Sequence, residues 1–261
     1  DAIQTARNSP NFQPAAALLV GVPDTASLGK VYDQIGGAGV TAVQTASFNA
    51  VDLFERSIGA PTDLRARYGD RGVGRKDSGE LWIQALGGGG SLGGSGRNGA
   101  AAASDYSGGL AMGWDFKPTE KALFGVALNA SASQFKVHAL NTSGTVITTQ
   151  LAAYGALNQG PWTERFDAVL GRHGVNYARR IVVPGLSQKA DGDFAGYAAT
   201  VRGELARTFV TGGGGQITPF AAIDVSELNL PTFTEGSTAL ALRYFGRAVM
   251  RTETNMGLQA T

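Results

Sequence analysis

From about Pro14 to Tyr68 the apolar residues return at helical intervals: Leu28, Val31, Tyr32 and Ile35, then Val40, Val43, Phe48, Val51, Phe54 and Ile58. Asp24-Thr25 after Pro23 offers an N-cap, Gly36-Gly37 interrupts the period, and Gly59 followed by Pro61 ends it. The spacing predicts two helices joined by glycines. From Glu80 onward the period changes to two. Leu110, Met112 and Trp114 alternate with Gly109, Ala111 and Gly113, and Phe124, Val126 and Leu128 with Gly125, Ala127 and Asn129. The same alternation sets Phe166, Ala168 and Leu170 against Arg165, Asp167 and Gly171, and Val201, Gly203 and Leu205 against Arg202, Glu204 and Ala206. It returns in Ile217 to Val225, in Leu240, Leu242 and Tyr244 against Arg243, and in Met256 and Leu258 against Asn255 and Gly257. About nine strands of membrane-barrel length are expected.

One face of these strands is large and apolar. The other carries Arg165, Asp167, Arg202, Glu204, Asp224, Arg243, Arg251 and Glu253 among glycines and alanines. A soluble β-sandwich or soluble barrel is the plain alternative, but such a face fits a wet lumen better than a solvated exterior, which carries longer and denser charges. The connectors support the membrane barrel. Phe116 to Glu120 and Asn158 to Pro161 read as tight turns, whereas Gly87 to Ser104, Val137 to Thr145 and Val182 to Asp193 read as longer polar loops. Trp82, Trp114, Trp162, Tyr177 and Phe209 fall near strand ends, at headgroup level. Leu110, Met112, Trp114, Phe166, Leu170, Leu240 and Leu242 are expected to face lipid.

Composition narrows the picture further. Hydrophobic residues make up 43% and charged residues only 16%, with a net charge of +1, so no nucleic-acid partner is expected. There is no cysteine, which excludes a disulfide framework and thiolate metal sites. No apolar run is long enough for a spanning helix, which leaves a barrel as the way to cross a membrane. The start at Asp1 has no basic flank followed by an apolar stretch, so no signal peptide is expected and the start reads as cut from a longer precursor.

Several motifs point elsewhere and carry little weight. Gly89-Gly90-Ser91-Leu92-Gly93 fits a nucleophile elbow, and Gly88 to Gly93 a dinucleotide fingerprint, but no helix follows, so a flexible loop is the reading. Of the two histidines, His138 falls in a loop and His173 shares a strand face with Asp167 without a nucleophile beside it. No cofactor and no metal are expected. Asn129-Ala130-Ser131 and Asn141-Thr142-Ser143 fit a glycosylation pattern that means little in a bacterial barrel. The helix Val40 to Ile58 suits a soluble core, a membrane surface or a pore. It lacks the dense basic face of a surface-seeking helix, and Gln44, Asn49, Asp52, Glu55 and Arg56 suit a water-filled lumen.

Nearly the whole chain resembles the autotransporter β-domain of Gram-negative bacteria. Tyr32 to Gly37, Val43-Gln44 and Leu53 to Arg56 resemble the segment joining passenger to barrel. Leu81 to Gln84 and Tyr106 to Asp115 resemble the first two strands. Phe124 to Ala127, Tyr154-Gly155, Thr218 to Ile223, Phe233 to Gly236 and Met256 to Leu258 follow in order. The resemblance implies a twelve-stranded outer-membrane barrel whose pore holds the linker helix and which supports export of an N-terminal passenger. It implies outer-membrane lipid, the barrel-assembly machinery and the passenger as partners, and no enzymatic activity. Residues 1–79 would be linker and pore helix, and 80–261 an incomplete barrel, because the family's last strands and terminal aromatic residue are absent. A passive porin-like channel and an outer-membrane hydrolase using His173 are the other readings.

Overall fold

A computed structural model describes residues 24–59, 79–94, 101–183, 185–236, 238 and 240–260. The expected helical pattern before Asp24 and between Gly59 and Gly79 lies outside the described residues.

Helix α1 spans Thr25–Ile35, and its N-cap Asp24 accepts a 2.7 Å hydrogen bond from the Ser27 N–H. The period breaks where the glycines stand: Gly37 has φ +71°, a short 3-10 turn covers Ala38–Thr41, and α2 runs Ala42–Gly59. None of the described helices is long and apolar enough to cross a membrane.

Eight long strands follow, each antiparallel to the next: β1 Glu80–Leu92, β2 Ala103–Thr119, β3 Ala122–Val137, β4 Thr142–Gln159, β5 Trp162–Val183, β6 Leu186–Arg207, β7 Gln216–Leu230 and β8 Arg247–Ala260. The edges β1 and β8 do not pair with each other, so the sheet is open. It nonetheless surrounds α2, which packs against β1 to β7 through apolar side chains and meets β8 through Arg251. An antiparallel meander places its connections alternately at two ends. The mouth carries those after β1, β3, β5 and β7, and the base those after β2, β4 and β6.

The dyad reading holds where it was clearest. Leu110, Met112, Trp114, Phe166 and Leu170 point outward, Leu170 at 62% exposure, while Ala111, Ala127 and Val169 are buried on the inner face. Leu128, Leu151 and Leu170 stand in register on the outer face of β3, β4 and β5. Near the base a row of rings, Trp114, Phe116, Phe124 and Phe166, runs across the same face.

Three expectations are corrected. The loops expected at Val137–Thr145 and Val182–Asp193 are tight turns, because β5 and β6 run 22 residues each and stay paired as far as Val183 and Leu186. The glycine run expected as a loop is strand: β1 continues to Leu92, opposite Ala103. Gly88 and Gly90 face Leu53 and Asn49 of α2, where a Cβ would stand 3.5 Å from Leu53 Cδ1 and 3.9 Å from Asn49 Nδ2, in ordinary contact. Leu240 to Tyr244 is not a barrel strand either. Arg243–Tyr244 pairs only with Phe233–Thr234, in a strap that folds back into the mouth between β7 and β8.

Candidate functional site

Helix α2 meets a different chemistry on each side. Phe54 and Ile58 pack with Leu86, Ala111, Leu123, Ala127, Tyr154 and Val169. Nearer the mouth, Val40, Val43 and Ala46 lie on Phe135, Val146, Val175 and Tyr177, and on the remaining side Phe48 and Val51 lie on Ala198 and Leu228. The polar residues of the helix reach the wall at three points. Asn49 Nδ2 donates to Asp105 Oδ1 at 3.1 Å, Asp52 forms an ion pair with Arg251, and the Gln44 amide lies against the Arg247 guanidinium. Glu55 is buried, and its Oε1 has no hydrogen-bond partner. Arg56 is exposed.

The inner face of β5 to β8 carries a connected run of charges. Arg202 Nη1 donates to both oxygens of Asp224 at 2.8 and 2.9 Å, and its Nη2 to Glu204 Oε2 at 2.8 Å. Arg165 stands 3.5 Å from Glu204 on the other side, and Asn255 Nδ2 donates to Asp224 Oδ2 at 3.1 Å. Asp167 is buried in register with Arg202, and its Oδ1 is unpartnered. Arg251 Nη1 stands 3.5 Å from Glu253, which lies on the open edge strand at 47% side-chain exposure. Two dyad neighbours on β5 and two on β6 thus bring Arg165, Asp167, Arg202 and Glu204 together with Asp224 of β7. Arg243 does not join them. It sits exposed on the strap, its guanidinium 5.6 Å from the Phe245 ring, because the alternation that assigned it to the lumen belongs to a folded connection.

A second charged cluster, at the mouth, was not foreseen. Arg179 Nε and Nη2 donate to Glu235 Oε1 and Oε2 at 2.7 and 2.6 Å, and both side chains are fully buried. Glu235 also accepts from Tyr177 Oη at 2.8 Å and from the Leu242 N–H at 2.8 Å. Burial, then the Glu235 charge, pushes the Tyr244 phenol up to about 12, so it remains protonated beside that carboxylate. Phe233 stacks between Phe194 and Tyr244, with centroids 4.1 and 4.8 Å away. Leu240 and Leu242, expected to face lipid, face this cluster instead: Leu240 packs with Ile35, Ile181 and Leu186 and is 7% exposed. Trp82 and Tyr177, expected at the lipid headgroups, also turn inward. Trp82 Nε1 donates to Tyr154 Oη at 2.9 Å, and Tyr177 closes on Glu235. No local spacing joins Arg179 to Glu235, so the sequence carried no signal for this pair.

His173 is buried with Nδ1 3.1 Å from Thr148 Oγ1. His138 is exposed at the start of a 3-10 turn whose last residue, Leu140, is buried. The described residues hold no cluster of His, Asp and Glu suited to a metal ion.

A family profile described as autotransporter beta-domain matches residues 81–261. The translocator domain of the autotransporter NalP from Neisseria meningitidis is similar in structure, with a TM-score of 0.60 at 16% identity over 81% of this chain and 72% of that one. The β-domain of the Bordetella autotransporter BrkA gives a TM-score of 0.54 at 18% identity over 70% and 69%. A comparison with curated proteins returns no match. The two structural likenesses establish the fold, an antiparallel barrel sheet around an N-terminal helix, and the profile establishes the relationship. The chain belongs to the autotransporter β-domain family, the outer-membrane translocators of Gram-negative bacteria that support export of an N-terminal passenger.

Proposed function

We propose that residues 1–79 are the linker and pore helix, that residues 80–261 are barrel, and that α2 rests in the lumen as a plug once the passenger has reached the surface. The Arg251–Asp52 ion pair carries this reading, because it ties a wall strand to the helix across 199 positions of sequence. On this reading Arg165, Asp167, Arg202, Glu204, Asp224, Arg251 and Glu253 line the pore, and Gln44, Asn49, Asp52 and Glu55 are the contacts of the plug. The apolar outer face fits outer-membrane lipid, and a barrel of this kind requires the assembly machinery that inserts such proteins. The work is anchoring and passage rather than bond cleavage. His173 has a threonine for its neighbour and no acid to orient it, which favours a structural histidine over a hydrolytic one.

Deleting residues 1–68 separates a plugged translocator from a passive channel. The plugged barrel gains conductance several-fold in a planar bilayer when the leader is removed. Unchanged conductance would overturn the plug and leave the porin reading.

A further inference from the structure

The Arg179 guanidinium makes two bonds that a structural ion pair does not need. Its Nη1 donates to the main-chain carbonyl of Gln34 at 2.7 Å, in the last turn of α1, and its Nη2 to the Leu240 carbonyl of the strap at 2.7 Å. Gln34 is held a second time, where its side-chain Oε1 accepts from the Val182 N–H at 3.0 Å. We propose that Arg179 and Glu235 form a peptide-recognition site at the mouth of the barrel, whose ligand is the carbonyl end of α1 with the Gly36-Gly37 step behind it.

The chemistry of the site fits that ligand. A helix ends in carbonyls without intrahelical partners and carries partial negative charge there, which a guanidinium complements. Glu235 fixes the guanidinium plane from one side and leaves Nη1 aimed at the helix end. The site also selects by shape. Gly37 has φ +71°, and a Cβ there would fall 2.8 Å from Leu242 Cδ1 and far inside contact distance of Tyr244 Oη, so only glycine passes beneath the strap. Recognition therefore reads backbone and a glycine step more than side-chain identity.

The site is built from β5 and the strap, where Arg179 and Glu235 stand 56 positions apart, and its ligand in α1 lies 145 positions from Arg179. It is incomplete until α1 stands in the mouth, so it grips the chain after passage. This inference rests on the plugged-barrel reading above.

The test uses the full chain with its passenger, in intact cells. The sequence has no cysteine, so Ala42→Cys, buried just below the grip, is a clean reporter for an impermeant maleimide. In the otherwise native chain it labels slowly. Adding Arg179→Met with Glu235→Leu, which removes both charges together, raises the labelling rate roughly tenfold by freeing the mouth, while passenger display stays at the native level. Should that double variant not fold, Gly37→Ala, which leaves both charges in place, gives the same rise. Slow labelling in every variant overturns the grip alone, as does lost passenger display without faster labelling. Fast labelling in the native chain overturns the plug reading and the grip with it.

Discussion

Toward β1 to β5, below the mouth, the wall offers α2 alanines, glycines and the Tyr154 ring, against which Phe54 and Ile58 are buried. Toward β5 to β8 it adds guanidinium and carboxylate groups, against which Asp52 and Glu55 lie, beside the apolar contact of Phe48 and Val51 with Ala198 and Leu228. The same helix thus satisfies two solvents at once. Apolar burial scales with area and is indifferent to small rotations of the helix, so it supplies docking strength without fixing register. The bidentate Arg251–Asp52 contact adds little strength at one-fifth exposure but is directional, so it fixes which face of α2 turns to which strand.

The largest expected effect lies in the apolar sector. Phe54→Ala removes a ring with no exposure and should weaken docking of the helix by about 3–5 kcal/mol. A denaturant titration followed by tryptophan emission reads it, since Trp82 packs on the same cluster. A cost near zero would show that this sector does not hold the helix. Next comes the outer face, where Leu170→Arg should cost about 2–4 kcal/mol of barrel stability if the residue lies near the bilayer midplane. Leu170→Ala, which removes bulk from the same outer position without adding charge, should cost much less, and equal costs would mean that this face does not meet lipid.

Arg251→Ala should cost only about 1 kcal/mol but should raise the frequency of brief channel openings. Exchanging the two charges, Asp52→Arg with Arg251→Asp, should restore quiet traces, and failure to restore them would deny the pair its orienting role. The smallest effect belongs to His173→Gln, which keeps size and polarity. Passenger display and processing should be unchanged, and loss of an esterase or protease activity in that variant would revive the hydrolase reading.

The strand phase was legible because β2, β3, β5, β6 and β7 put residues such as Met112, Leu128, Leu170, Val201 and Ile223 outside and small or charged ones inside. That contrast is imposed by lipid on one face and helix on the other. The strap obeys the same alternation for a different reason. Leu240 packs inward on Ile35 and Ile181, and period two carries no information about which apolar environment a side chain enters. The Arg179–Glu235 pair was not legible at all, since its partners come from a wall strand and a connection and no local spacing joins them. The glycine run misled because glycines in sequence mark loops more often than strands, whereas here they stay paired with β2 as far as Leu92.

Whether α2 occupies the lumen after export is tested most directly by a cross-link. Asn49 and Asp105 are within hydrogen-bond distance, and the chain has no cysteine of its own, so Asn49→Cys with Asp105→Cys places one thiol on the helix opposite one on the wall. In cells displaying the passenger, a short bifunctional thiol cross-linker, which spans a pair of side chains whose tips meet, should join the two cysteines, shift mobility on a denaturing gel and lock conductance at its low level. Asn49→Cys with Leu110→Cys, which points to the outer face, should give no such band. A displayed passenger with no 49–105 cross-link would contradict the placement of the helix and the account built on it.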